Sequence, residues 1–257
     1  MSTYEVVARN FSESHENRIH SDDVARKYGF RGALVPGVAV FGHLTHPLVE
    51  RFGERWLDGS VNHTRFHKPA YDGDALSIRL EERDGGFRVS AHNAEGTLLA
   101  ELESRMPATL PSAENQSVFD APRRSAPRTE IRWETIREGE PFPEWHVQVI
   151  TDENQRYADE ISDTLPLYRF VAHPHWLLSI ANLALTREYA MPTWLHVGSE
   201  IRFRDLVRVG DTLAVNAVPI EKWEKKGHQF VRLYLAYSRL DHLTTEIFHT
   251  AIFRVAP

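Results

Sequence analysis

Arg65-Phe66-His67-Lys68-Pro69-Ala70-Tyr71-Asp72-Gly73-Asp74-Ala75-Leu76 returns later in the chain as Arg202-Phe203-Arg204-Asp205-Leu206-Val207-Arg208-Val209-Gly210-Asp211-Thr212-Leu213. Both stretches fit R-F-x6-G-D-x-L, and 202 − 65 gives a displacement of 137 residues. A Gly-Asp pair ahead of an alternating run marks a turn entering a strand, because glycine supplies positive φ and aspartate tolerates it. The same displacement carries Pro36-Gly37 onto His173-Pro174. Each pair opens an amphipathic stretch: Val38, Phe41, Leu44, Leu48 and Phe52 in one, Trp176, Ile180 and Leu183 in the other. Spacings of three and four predict a helix in each place.

After each helix the pattern turns to period two. Strands are predicted at 61–67, 75–82, 87–94 and 98–105, then at 195–203, 213–221, 230–237 and 246–255. Short turns such as Asp84-Gly85-Gly86 and Glu95-Gly96 join them as antiparallel hairpins. The unit is therefore a short helical region, one long apolar helix and four antiparallel strands, present twice. A helix apolar over most of its surface must be wrapped on several sides. A curved sheet does that, and two such sheets can join edge to edge. Between the units lies a stretch with Pro107, Pro111, Pro122 and Pro127 and no periodicity, read as a surface crossing. The domains expected are 1–106, a linker at 107–128, and 129–257.

Composition narrows the function. With 42% apolar residues in 257 the chain buries a sizeable core. Thirty Lys and Arg against 36 Asp and Glu leave a formal charge of −6, which argues against nucleic-acid and anionic-membrane partners. The absence of cysteine excludes disulfides, thiolate catalysis and Cys-ligated metal. The first eleven residues do not read as a signal peptide, and no apolar run is long enough for a membrane span, so a cytoplasmic protein is expected. G-x-G-x-x-G, G-x-x-x-x-G-K-[ST] and G-x-S-x-G are all missing. The pairs His43/His46 and His173/His175 lack a third ligand at matching spacing, and no metal site is expected. Lys222, Lys225 and Lys226 form a small basic cluster in a hairpin, read as solvated or as a contact for carrier phosphates.

The segment Ser14-His15-Glu16-Asn17-Arg18-Ile19-His20, continuing to Val35-Pro36-Gly37, resembles the MaoC-like (R)-specific enoyl-CoA hydratase/dehydratase family. That family's motif has the form D-x-N-P-x-H, followed by a short helix and an H-G or P-G step into the central helix. The resemblance implies an α+β double hotdog, in which one chain supplies two repeats, each a long helix wrapped by an antiparallel sheet. It implies a lyase that hydrates or dehydrates an acyl thioester by acid/base catalysis, with no cofactor beyond the CoA of its substrate. His20 falls on the motif histidine and Asn17 on the motif asparagine. The motif aspartate falls on His15 and the proline on Arg18. A second acid/base group then has to come from Glu16, Asp22, Asp23 or His15, with Glu16 placed first.

Syn-dehydration of a 3-hydroxyacyl thioester needs a base for the α-proton, an acid for the departing hydroxyl and donors for the thioester oxygen. Histidine suits the proton transfers. Gly37 lets a substrate approach the amides at the start of its helix. The plain alternative is that His20 caps a short helix and Gly37 permits a turn. The displacement puts Tyr157 opposite His20, so one active centre per chain is expected, in the first repeat. The second would act as scaffold, its helix with Trp176, Leu177, Leu178, Ile180 and Leu183 either core or an apolar wall of the acyl pocket. An acyl-CoA thioesterase and a non-catalytic acyl-ligand or protein-binding module are the rival readings. A homodimer of whole chains is compatible with the internal duplication.

Overall fold

The Gly-Asp turns make the same hydrogen bonds in both halves of the chain. Gly73 and Gly210 adopt φ of 81° and 96°, a region where a side chain is strained. Asp74 Oδ2 accepts the Tyr71 N–H at 2.9 Å, and Asp211 Oδ2 accepts the Arg208 N–H at 2.8 Å. The Val35 N–H donates to the Ala70 carbonyl and the Ala172 N–H to the Val207 carbonyl, each at 2.9 Å. Every partner is displaced by 137 positions, so the sequence repeat is also a repeat of main-chain geometry.

A computed structural model describes residues 2–13 and 16–256. The first half contains β1 (Ser2–Val7), α1 (Asp22–Lys27), α2 (Gly37–Phe52), α3 (Glu54–Leu57), β2 (Ser60–Phe66), β3 (Ala75–Arg83), β4 (Gly86–His92) and β5 (Leu98–Arg105). A short strand β6 (Thr129–Glu130) precedes the second half. That half contains β7 (Trp145–Gln148), α4 (Thr151–Glu160), α5 (Pro174–Glu188), β8 (Tyr189–Ala190), β9 (Leu195–Phe203), β10 (Thr212–Lys225), β11 (His228–Arg239) and β12 (His242–Arg254).

Among the described residues, ten strands form one antiparallel sheet in the order β1-β3-β4-β5-β2-β9-β12-β11-β10-β7, which reads alike from either end. The two small sheets meet where β2 runs against β9, from Ser60 opposite Phe203 to Arg65 opposite Gly198. Each half thus covers the other's open edge. At this seam Gly198 is forced, because a Cβ there would sit 2.7 Å from the Thr64 carbonyl oxygen. The eight predicted strands are all present, those of the second half's long hairpins extending further than alternation marks. Edge strands β1 and β7 carry too short a pattern to be predicted.

Helix α2 buries Phe41, Leu44 and Leu48 completely, and α5 does the same with Ala181, Ala184 and Leu185. One continuous apolar core joins them to the inner face of the sheet. The two helices touch at Gly42, where an added Cβ would lie 2.7 Å from Ile161 Cδ1 and 3.1 Å from His175 Cβ. This is the α+β double-hotdog arrangement. No helix among the described residues is long and apolar enough to cross a membrane.

The proline-rich stretch is a strap across the outer face of the second sheet. Phe119 stacks on Tyr234 with ring centroids 5.6 Å apart, and Gln116 Nε2 donates to the Tyr234 hydroxyl at 2.6 Å. The fully buried Glu246 accepts the Glu114 N–H at 2.9 Å and the Tyr234 hydroxyl at 2.8 Å, and it pairs with Arg204. Arg204 also donates to the Pro111 carbonyl. A buried carboxylate needs this number of partners to offset its desolvation.

Candidate active site

Asn17 caps a single 3-10 turn, Arg18–His20, whose last residue is His20 and which ends just before α1. The Asn17 carboxamide is buried and reaches across to the second repeat. Its Nδ2 donates to the Trp194 carbonyl at 3.0 Å, and its Oδ1 accepts the Trp194 N–H at 3.2 Å. The Arg18 N–H donates to the Pro192 carbonyl at 2.8 Å. The motif turn is therefore held against the segment entering β9, and the site spans the seam between repeats.

His20 Nδ1 lies 2.7 Å from the Leu34 carbonyl oxygen. A carbonyl only accepts, so Nδ1 carries the proton, and in the neutral ring Nε2 is the basic nitrogen. Asn17 Nδ2 faces that Nε2 at 3.4 Å. Leu34 forms a bridge to Tyr71, and the next residues run directly into α2 at Pro36 and Gly37. Pro36 caps the helix without a side-chain bond, and the Ala39 and Val40 amides turn back to its carbonyl. The amides of Gly37 and Val38 lead the helix with no carbonyl one turn behind them, at the positive end of the dipole.

A cavity of about 670 Å3 opens between these residues and the second repeat. Asn17, His20 and Gly37 all line it, together with Ile19, Phe30, Leu34, Val40 and Phe66 from the first repeat. Trp194, Leu195, His196, Phe230 and Ile252 close it from the second, and the exposed Lys68, Lys225 and Lys226 border it. Lys222 is not part of this border. Its ammonium donates to the carbonyls of Trp133 and Ile136, each at 2.8 Å.

The expected residues do not all converge. Glu16 pairs with Arg128 and is absent from the cavity wall. Asp22 Oδ1 accepts the Ala33 N–H at 2.8 Å and its Oδ2 pairs with Arg26 at 2.8 Å, which fixes the loop ahead of α2. His15 lies outside the described residues. No carboxylate lines the cavity among the described residues, so the structure brings together His20, Asn17 and Gly37 without the acidic partner sought in Glu16 or Asp22.

His196 is the wall residue that sequence periodicity conceals. In strict alternation it would face away from Ser199, Ile201 and Phe203. The register of β9 on β12 slips between Thr250 and Ala251, so that Ser199 sits opposite His249 and His196 opposite Ala251. His249 and Ala251 share one face of β12, and the bulge has turned His196 onto that inward face. Its Nε2 lies 2.9 Å from Ser199 Oγ, which is 3.1 Å from His249 Nδ1, and the two imidazoles lie 4.2 Å apart, tilted by 34°. Burial, with His249 nearby, holds His196 well below the usual histidine range, and burial pushes His249 down to about 3. Both rings are neutral at physiological pH. The edge of His196 packs against α2, where a Cβ on Gly37 would stand 3.3 Å from its Nδ1 and 3.4 Å from the Phe66 ring. Glycine lets these two rings pack closely on the helix start.

The corresponding position of the second repeat is filled. Asn154, displaced by 137 from Asn17, is buried and accepts the His173 N–H while donating to the Tyr168 and Val171 carbonyls. Asp163 receives His46 at 3.0 Å and His173 at 3.4 Å. Burial would raise its pKa, but the hydrogen bonds from His173 and His46 prevail and hold the carboxyl below the usual range. Burial lowers His43 to about 4 against the pull of Asp163, and lowers His175 well below the normal value. No cluster of three or more His, Asp or Glu among the described residues is arranged to hold a metal ion.

Of the two readings for the apolar residues of α5, core holds for most, while Leu183 borders a smaller space beside the cavity. Trp176, Leu177, Leu178 and Ile180 are core, and the helix reaches the cavity through Asn182.

No protein-family profile matches the chain, and no curated protein does. Solved structures do. A protein from Chloroflexus aurantiacus J-10-fl named as a MaoC domain dehydratase is 13% identical, with a TM-score of 0.61 over 98% of this chain and 95% of that one. A conserved Mycobacterium tuberculosis protein described as having a double hotdog fold is 15% identical, with a TM-score of 0.64 over 98% and 95%. A Lactobacillus plantarum structure named as an oleoyl thioesterase is 14% identical, with a TM-score of 0.54 over 100% and 97%. At such identities shared geometry establishes architecture and leaves chemistry to the site, and the chain has the double-hotdog fold along its whole length.

Proposed function

We propose that the protein is a hydratase/dehydratase of acyl thioesters, interconverting a 2-enoyl-CoA and a 3-hydroxyacyl-CoA with His20 as its acid/base. The observation that carries this reading is the Leu34 carbonyl on His20 Nδ1, which leaves Nε2 as the basic nitrogen beside the start of α2. In hydration, Nε2 removes a proton from water as the oxygen adds to C3. The C2=C3 electron pair moves toward the thioester, and the charge on its oxygen is met by the Gly37 amide at the helix N-terminus. His20 then returns its proton to C2, so one imidazole serves both transfers and the ring ends neutral. Asn17 is a positioning residue that anchors the turn to Trp194. Lys68, Lys225 and Lys226 at the border suit the phosphates of the carrier. The reaction draws on no cofactor apart from the CoA of the substrate.

The test is turnover of trans-2-enoyl-CoAs, following loss of enoyl absorbance and release of free thiol together. Enoyl loss that falls by 100-fold or more in His20→Ala is the expected result. Thiol release without enoyl loss would replace the proposal with an acyl-CoA thioesterase. Tight binding with neither reaction would leave a non-catalytic acyl-binding module.

A further inference from the structure

His20 stands between two spaces. Behind it, a chamber of about 130 Å3 adjoins the main cavity, and Asn17, His20, Pro36, Asn182 and Trp194 border both. If the thioester oxygen meets Gly37 and C3 meets His20, carbons beyond C3 pass into this chamber. It has room for about four water-sized groups. The lining is mixed, with Phe11, Val38, Ala39 and Leu183 supplying apolar surface for a short hydrocarbon stem. Tyr157 on α4 and Ser179, Asn182 and Thr186 on α5 present polar atoms, and the Arg156–Glu160 ion pair stands at the chamber's outer side. Asn182 Oδ1 is buried and has no hydrogen-bond partner although it borders both spaces. Buried polar atoms are nearly always paired, and an unpaired one on a residue that borders a cavity is a natural partner for a group that enters it.

We propose that this chamber selects acyl groups that are short and end in a hydrogen-bonding group such as a hydroxyl, with Asn182 as the specificity-determining residue. This rests on the acyl-thioester reading above. A hydroxyl both donates and accepts, so it satisfies the carboxamide in either orientation. An alkyl end of equal size leaves Asn182 unpaired and is disfavoured. The second repeat thereby chooses the substrate on which the first repeat acts.

The test uses two unreactive thioethers of equal length, S-(6-hydroxyhexyl)-CoA and S-heptyl-CoA, titrated calorimetrically into the intact protein. The hydroxylated probe should bind at least tenfold more tightly. Asn182→Leu should abolish or invert that preference, and Tyr157→Phe, which keeps the ring, should reduce it. Equal binding, or tighter binding of S-heptyl-CoA, overturns the inference while leaving the acyl-thioester reading intact. An unchanged preference in a folded Asn182→Leu protein also overturns it. Binding of neither probe overturns both readings.

Discussion

Asn17 ties a turn of the first repeat to the main chain of the second by two hydrogen bonds with Trp194, and both partners are buried. Asn17→Ala leaves the Trp194 N–H and carbonyl without their partner, a loss of about 1–3 kcal/mol. It should lower the urea midpoint and, through the loosened turn, reduce kcat more than it raises KM. An Asn17→Ala protein with unchanged stability would show that these bonds are replaced by water. At this scale the sequence was partly legible. The resemblance to the D-x-N-P-x-H motif singled out Asn17 and His20, which do share the cavity wall. Adjacency misled for Glu16, whose side chain turns to Arg128, and period two hid His196, which a bulge re-aims. A bulge is one residue of main-chain slip, set by strand partners far away in the chain, and no local pattern announces it.

Helices α2 and α5 meet through Gly42, where the absence of a side chain admits the side chains of Ile161 and of His175 on α5. In an exposed helix, replacing glycine with alanine gains about 1 kcal/mol. Here the added Cβ would lie 3.1 Å from His175 Cβ, which a helix holds in place, so the gain is lost to overpacking. Gly42→Val should destabilise the protein by about 1–3 kcal/mol in urea denaturation. A neutral or stabilising effect would mean that the helices separate freely. Elements themselves were the most legible level, because both periodicities are local and each half repeats the other. The exceptions have physical causes: β1 and β7 are short edge strands. The proline-rich strap gains order from Phe119 on Tyr234 and from Glu246, contacts more than a hundred residues distant in sequence.

Over the whole molecule, five buried imidazoles set the pH range, His173 among them, lowered by burial against the pull of Asp163. Burial lowers His43 to about 4, His249 to about 3, and His175 and His196 well below the normal value. An unfolded histidine titrates near 6.5. Between that value and the folded pKa the unfolded chain binds more protons than the native one, so stability rises with pH in this interval. The stabilisation is complete above about pH 6.5 and is lost progressively as pH falls toward 4. Urea midpoints at pH 7.5, 6 and 5 should decline in that order, and replacing His249 with glutamine should flatten the decline. A midpoint constant from 7.5 to 5 would show that these rings titrate in the fold as they do in the unfolded chain.

The filled position opposite Asn17 sets a stoichiometry. In an assembly of two identical subunits, any side chain that closes one site closes its symmetry mate as well. A fused pair escapes that constraint: Asn154, Asp163 and His173 are packed into the second position while the first remains open. On the function proposed above, one chain should take up one substrate and saturate along a simple hyperbola, because the equivalent position among the described residues is packed.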